Sequence, residues 1–483
     1  MRLGIKIAVL LLVFVIPIFT EIQPDPIQCW TTLKTFEADG TVKNVVVVTT
    51  DDDLSEVING AEPGDQLILP KKTYTGTFSF SGIQGTAENP IWIIGSGSHE
   101  TVISGRMQFS ESQYLILRNF ELKDSTSNGI NMDDSGKYDE VVNHHVIIDN
   151  LHVHNIGGTD NLDCIKLSGL YDFFITNNKI WDGSSGGSYV DMVGCHDGFI
   201  SNNEFGDETE NSQTHVQMKG GTINITVNSN VFKNAPQRGV NMGGSTGADF
   251  FRPPISQEYN YEAKWLRVVN NVFDHCYAPV AFVGCVECLV SNNVLYYPEN
   301  WALRILQETT ELSGVTFESC RDGVFANNII LFEDSMSRFC NVGSNTESTT
   351  FKFENNLWYC TNNANFDYEN SAISNIPVDE INVIQQENPL FEDQSNLDFR
   401  LKEESSALQK GIGGYVNSDF DYQCYRDPPN MGAYSYYVGA PSPIPSITPT
   451  PTPSSDPDNV SSSNISLFPF TLLLLICLSF FAL

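Results

Sequence analysis

Seven polar side chains, all but Asn241 ionisable, recur at comparable places in a set of short β-branched segments: Lys166, Asp191, His215, Lys219, Arg238, Asn241 and Arg304. Four glycines, Gly169, Gly194, Gly221 and Gly284, each lie nine residues before an asparagine and give these segments a common register. Successive residues of an extended strand face opposite sides. In DCIKLSG, Ile165 and Leu167 then point inward and Lys166 outward; in YVDMVG, Val190 and Met192 point inward and Asp191 outward. THVQMKGG buries Val216 and Met218 and leaves His215, Gln217 and Lys219 outside, RGVNMGG exposes Arg238 and Asn241, and WALRILQE exposes Arg304. Taking a proton from the carbon beside a sugar carboxylate needs a base, a group that neutralises the carboxylate and an acid for the leaving oxygen. Lys219 is the candidate base, with nearby Arg238 or Lys166 as the cation that would favour its neutral form. Arg238, a tyrosine or water is the candidate helper. Lys166, Asp191, His215, Asn241 and Arg304 are candidate substrate contacts. The simpler reading is a solvated face, because exposed positions are polar by default. Against it, an acidic chain has put four basic side chains (Lys166, Lys219, Arg238, Arg304) on one stripe.

Other groups offer different chemistry. Asp191 paired with Glu262 or Glu308 would suit glycoside hydrolysis, in which the carboxylate separation sets the stereochemical outcome. The segment from Gly243 to Lys264, GGSTGADFFRPPISQEYNYEAK, is aromatic and leaves the chain next to the stripe. Its rings fit a groove wall against sugar faces, or a loop that merely covers the core. His144 and His145 read as turn residues before a strand. The sequence has no phosphate-binding glycine loop and no HExxH.

The elements that must position the stripe are legible as a repeat. Between residues 114 and 360 an asparagine recurs between apolar residues, as in LILRNFEL (Asn119), VIIDNLHV (Asn150), FITNNKIW (Asn178), FISNNEF (Asn203), ITVNSNVF (Asn230), RVVNNVF (Asn271), CLVSNNVLY (Asn293), VFANNIIL (Asn328) and FKFENNLWY (Asn356). Asn178 to Asn203 spans 25 residues and Asn271 to Asn293 spans 22, one solenoid coil each, while the gap from Asn230 to Asn271 implies an inserted loop. An asparagine repeated at one turn can hydrogen-bond to its copy in the next coil. Leucine-rich repeats have a similar period, but their LxxLxL frame is missing, and the alternation favours strands. DDDLSEVINGA, Asp51 to Ala61, reads as a short amphipathic helix with acids at its N-terminus, a cap for the open end of the solenoid. The fold class is all-β: a single-stranded right-handed parallel β-helix with a short N-terminal capping helix.

PGDQLILPKKTYTG (Pro63 to Gly76) and GTAENPIWI (Gly85 to Ile93) resemble the entry to the right-handed β-helix polysaccharide lyases, the alginate lyase and chondroitinase B family. The resemblance continues through the asparagine coils to about residue 360. It implies β-elimination on a uronate polysaccharide, by a lysine on such a strand and an arginine on the next coil, often with Ca2+ held by neighbouring acids. Lys219 falls where the family lysine falls. The family arginine follows the apolar pair of its strand, where this chain has Gly243 and Gly244, and Arg238 comes early instead; Ser212, Gln213, Thr214 and His215 stand where an acidic pair precedes the lysine. A non-catalytic glycan-binding or adhesion protein on the same scaffold stays open beside the lyase and the hydrolase, with a coat protein third.

The bulk composition agrees. The chain has 483 residues, is 41% hydrophobic and 18% charged, and carries a formal net charge of −33, which argues against a nucleic-acid partner, suits a soluble extracellular protein, and argues against a large anionic partner unless positive charge is gathered locally. Arg2, Lys6 and the apolar run from Ile7 to Phe19 read as a signal peptide over residues 1–20. The β-helix domain is expected over 21–440, a Pro/Ser/Thr-rich stalk over 441–463, and a hydrophobic tail over 464–483 that reads as a GPI signal or a membrane anchor. This makes a monomer on the extracellular face of the plasma membrane the expectation. Asn224 and Asn459 open glycosylation sequons. Eleven cysteines fit disulfides or buried thiols, and the CxxC of Cys285 and Cys288 lacks the further ligands of a zinc site.

Overall fold

Each asparagine-centred segment becomes two short strands that meet at a corner, and each pairs with its copy one coil later. The computed structural model describes residues 35–49, 53–97, 99–206 and 214–436. The expected signal peptide, the stalk, the hydrophobic tail and Asn459 lie outside the described residues. Among the described residues no helix is long and apolar enough to cross a membrane.

Three stacks of parallel strands wind into a β-helix. The first face runs from Asn44–Val47 and Asp65–Leu69 through Tyr171–Thr176, His196–Ser201 and Thr222–Asn228 to Lys352–Glu354. The second runs from Glu121–Lys123 and His152–His154 to Leu357–Cys360 and Ile384–Gln385. The third carries the polar stripe, from Ile130–Asp133 through Ile165–Ser168, Ser188–Val193, Thr214–Lys219, Arg238–Gly243, Val280–Val283 and Trp301–Leu306 to Arg338–Val342. Thr101–Ser110 is long enough to pair with strands of the second and third faces at once. The capping helix forms at Leu54–Asn59, where the Asp53 carboxylate accepts from the backbone N–H groups of Ser55 and Glu56, and Leu54 and Ile58 turn onto the open core.

The core is built of identical rows. Ile165, Val190, Val216, Val240, Val280 and Leu303 are successive register partners and are all fully buried. On the second face Phe205, Phe232 and Phe273 stack at 4.9 and 4.8 Å, the interstrand spacing. At the corner between the first and second faces the side-chain amide of Asn178 donates to Asn203 at 2.9 Å, and the chain of bonds continues through Asn230, Asn271, Asn293 and Asn328 to Asn356. Each asparagine oxygen also accepts the backbone N–H of the previous coil, so the buried turn is satisfied. Asn119 and Asn150 differ from expectation. They occupy the preceding left-handed position (φ 63° and 52°) beside Asn177, Asn202 and Asn270, and Phe120 and Leu151 take the interior place.

One layer escapes the repeat. The segment after Gln386 returns along the outside of the second face, where Phe391, Phe399, Leu401, Met431 and Tyr434 cover Val272, Val294, Ile329 and Leu357. Its carbonyls at Ser418, Asn430, Ile412 and Lys410 accept from Asn270, Asn292, Asn327 and Asn355, the left-handed corner row. Cys285 and Cys288 form a disulfide, and Cys164, Cys195, Cys276, Cys320, Cys340 and Cys360 are buried thiols.

Candidate active site

The outward column of the third face reads Gln108, Asn131, Lys166, Asp191, Gln217, Asn241, Ala281, Arg304 and Asn341, one residue per coil. Lys219 stands two residues further along its strand, opposite Val193. Strand pairing thus places Lys166, Asp191 and Lys219 on three successive coils, about 4.8 Å per step. Asp191 is only 3% exposed and sits between the two lysines: one carboxylate oxygen takes the Lys166 ammonium in a short contact, and the other lies 3.6 Å from Lys219 Nζ. Asp163 Oδ2 is 3.4 Å from the same Lys166 nitrogen, and its Oδ1 accepts the Ser188 N–H at 2.8 Å. Burial works against the charge on Lys166, but Asp191 and Asp163 outweigh it and hold its pKa up. Burial, together with the negative charge of Asp191, pushes the Asp163 carboxyl up.

A wall rises beside this cluster from the long insertion. Arg252, 4% exposed, makes a two-pronged contact with Asp134 at 2.7 and 2.8 Å and stacks over the Tyr138 ring at 4.6 Å. Its side chain lies on Gly194 (φ 61°), where a Cβ would meet Arg252 Cβ at 2.5 Å. The glycine therefore serves close approach as well as the turn. Glu262 fixes the other end of the insertion. It is fully buried and accepts from Gly220 N (3.0 Å), Thr246 N (3.1 Å), Thr246 Oγ1 (2.8 Å) and Thr309 Oγ1 (3.0 Å). Glu262 is a structural anchor, so the hydrolase pairing of Asp191 with Glu262 is corrected. Phe250 is left 56% exposed on the wall.

A second patch lies further along the column. Arg304 stacks on Trp301 at 4.3 Å and donates to Asn341 Oδ1 at 3.1 Å, and Tyr277 meets the Trp301 ring edge-on at 5.3 Å. Burial, with help from Arg238, holds the Arg304 pKa down, while Arg238 pairs with Glu308 at 3.3 Å. Two arginines, one carboxylate and two rings make a surface able to bind an acidic sugar.

The expected stripe is thus found at Lys166, Asp191, Lys219 and Arg304 and corrected at three positions. His215 is interior: it is 1% exposed and stacks on Tyr189 at 4.6 Å, because the strand bends at the corner and alternation fails there. Asn241 does lie on the outward column but is completely covered, its amide donating to the Gly243 carbonyl at 3.1 Å. Arg238 is register partner of Thr214, five residues before Lys219, so their backbones stand about 16 Å apart along the strand direction. Its side chain turns to Glu308 rather than assisting at Lys219. The register glycine of the Lys219 coil is Gly220, with Gly221 an extra residue: Val193 pairs with Lys219, which sets Gly194 opposite Gly220. His144 and His145 begin a first-face strand, and His145 stacks on Tyr114 at 4.4 Å. Sequence reasoning missed Asp163, although its place three residues before Lys166 was a signal, and Trp301, which opens the WALRILQE segment. The resemblance implied Ca2+ on neighbouring acids. That donor set does not fit here, since the Lys166 ammonium already lies between Asp163 and Asp191. Asn224 sits on a first-face strand and donates to Asp197.

No protein-family model and no curated protein matches the chain by sequence. Solved structures do match in shape. The pectate lyase Pel9A superposes with a TM-score of 0.47 at 12% identity, over 83% of this chain and 98% of that one. A PL6 family alginate lyase, AlyGC, gives 0.42 at 14%, over 82% and 60%. An alginate lyase from Paenibacillus sp. str. FPU-7 gives 0.40 at 16%, over 62% and 96%.

Proposed function

We propose that this chain is a polysaccharide lyase that cleaves a uronate polymer by β-elimination, with the polymer lying along the third face between Lys166 and Arg304. The observation that supports this most is the arrangement of Lys166, Asp191 and Lys219 on three successive coils beneath the wall of the insertion. Lys219 takes the proton from the carbon next to the uronate carboxylate. Lys166 supplies the positive charge that the developing carbanion needs, the role first expected of Arg238. The proton gained by Lys219 is then available to the departing glycosidic oxygen. Asp191 orients both lysines. An amine acts as a base only in its neutral form, so turnover is expected to climb with pH. Arg238, Arg304 and Trp301 hold the next acidic sugars.

A second reading, glycan binding without catalysis, is favoured by the same Asp191–Lys219 contact, in which the lysine serves as the partner of a buried carboxylate. One assay separates them. The chain is incubated with pectate, alginate and chondroitin sulfate, and ultraviolet absorbance of the unsaturated product is followed, beside Lys219→Ala. A lyase gives a rising signal that falls by about 10²- to 10⁴-fold in the variant. Retention of glycan without product would leave binding alone. Export and surface anchoring remain part of the proposal, supported by the apolar N-terminal run and C-terminal tail of the sequence and by the Cys285–Cys288 disulfide.

A further inference from the structure

A cluster unconnected with the sugar groove lies on the outer side of the second face, near the N-terminal end. Glu121 and His152 are register partners on adjacent coils, and His99 comes from the turn one coil earlier. Glu121 is 3% exposed. Its Oε2 lies 2.8 Å from His99 Nδ1, and its Oε1 lies 3.0 Å from His154 Nε2 and 2.8 Å from Lys123 Nζ. His152 is packed flat on His154 at 4.3 Å, and edge-on to His99 at 5.1 Å and to Trp181 at 5.5 Å. Both ring nitrogens of His152 are shielded from solvent and have no hydrogen-bond partner among the described residues. Buried polar atoms are normally paired, so such a ring asks for an explanation. One donor atom each from His99, Glu121 and His152 falls within 4.8 Å of the other two.

We propose that His99, Glu121 and His152 bind a divalent transition-metal ion, with Zn2+ the expected occupant and His154 or water in the fourth position. Two imidazoles and a carboxylate are a zinc-type donor set, whereas calcium and magnesium take oxygen ligands. Donors around tetrahedral zinc stand about 3.3 Å apart, so small rotations of the exposed His99 and of His152 close the shell. The ion takes Glu121 Oε2 in place of the His99 contact, and Lys123 keeps Oε1. The ligands come from three successive coils, and the ion would clamp the N-terminal end of the solenoid.

The test is titration of the chelator-stripped full chain with ZnSO4, followed by calorimetry and thermal unfolding, with CoCl2 as a spectroscopic probe. One equivalent of Zn2+ should bind and raise Tm by several degrees, Co2+ should give tetrahedral visible bands, and Ca2+ and Mg2+ should do neither. His152→Ala should abolish these effects. His99 is two-thirds exposed, so His99→Ala removes little packing; it should weaken Zn2+ at least tenfold, and the rise in Tm on adding Zn2+, read against the metal-free variant, should be lost. Absence of saturable Zn2+ binding would overturn the proposal. So would equal binding in wild type and His99→Ala, which would place the metal on other histidines such as His144 and His145.

Discussion

Asp191 serves two ammonium groups while Asp163 shares one of them, so the charge balance of the groove hangs on Lys166. Without Lys166 two buried carboxylates would face each other at close range. Burial and Asp191 already raise the pKa of Asp163, and its charged form is the unfavourable one in the folded chain. A carboxyl raised above its unfolded value gives stability that is complete below the unfolded pKa and fades as pH rises through the folded value. Lys166→Met should therefore cost little near pH 4 and about 3 kcal/mol at pH 8, where the ionised Asp163 has lost its ammonium partner. Urea midpoints at the two pH values check this, and an equal loss at both would mean that Lys166 acts by packing alone. Lys166 and Asp191 were legible in the sequence because they lie inside their strands, and Lys219, which ends its strand, keeps the same alternation. His215 and Arg238 were not, since both stand at strand starts where the chain turns a corner. The His99, Glu121 and His152 cluster escaped because its members are 22 and 31 residues apart and follow no compact motif.

The asparagine row is the element that repeats most faithfully, and its recurrence at one turn makes the coil visible in the order of the amino acids alone. What the repeat does not reveal is how the row ends. Asn356 has no asparagine to follow, and its amide donates instead to Glu380 Oε1 at 2.7 Å, while Trp358 Nε1 donates to Glu380 Oε2 at 3.0 Å. Burial pushes Glu380 up to about 7, against the pull of these two donors. The stabilising form is the neutral acid, complete below about pH 4 and lost as pH rises through 7. Glu380→Gln cannot ionise but keeps one acceptor oxygen for the two donors. It should cost about 1 kcal/mol at pH 4 and gain on the order of 2 kcal/mol relative to wild type between pH 4 and pH 8. Thermal unfolding of both proteins across this range is the measurement, and a loss at pH 8 would mean that the carboxylate charge itself holds the end of the ladder.

At the scale of the molecule the solenoid carries its own cover. A uniform β-helix would show the same outward chemistry along a whole face, yet the outer column of the second face changes from Glu121, His152, Lys179 and Glu204 to Val231, Val272, Val294, Ile329 and Leu357. The polar half is open and holds the histidine cluster; most of the apolar half lies under the returning C-terminal segment. That segment has irregular spacing and few strands, so periodicity could place neither its path nor its partners. Four corner asparagines depend on its carbonyls as well. Ending the chain after Gln386 would strip both kinds of contact from the same edge of the barrel. Exposing an apolar stripe of this kind favours association, and the coils underneath keep their own backbone pairing. The shortened chain should thus retain its β-sheet circular dichroism but bind a hydrophobic dye and elute as oligomers, with activity per folded chain preserved in the third-face groove. A monodisperse, dye-silent product would show that the segment is dispensable to the fold; loss of β structure would show that the coils need it in order to stack at all.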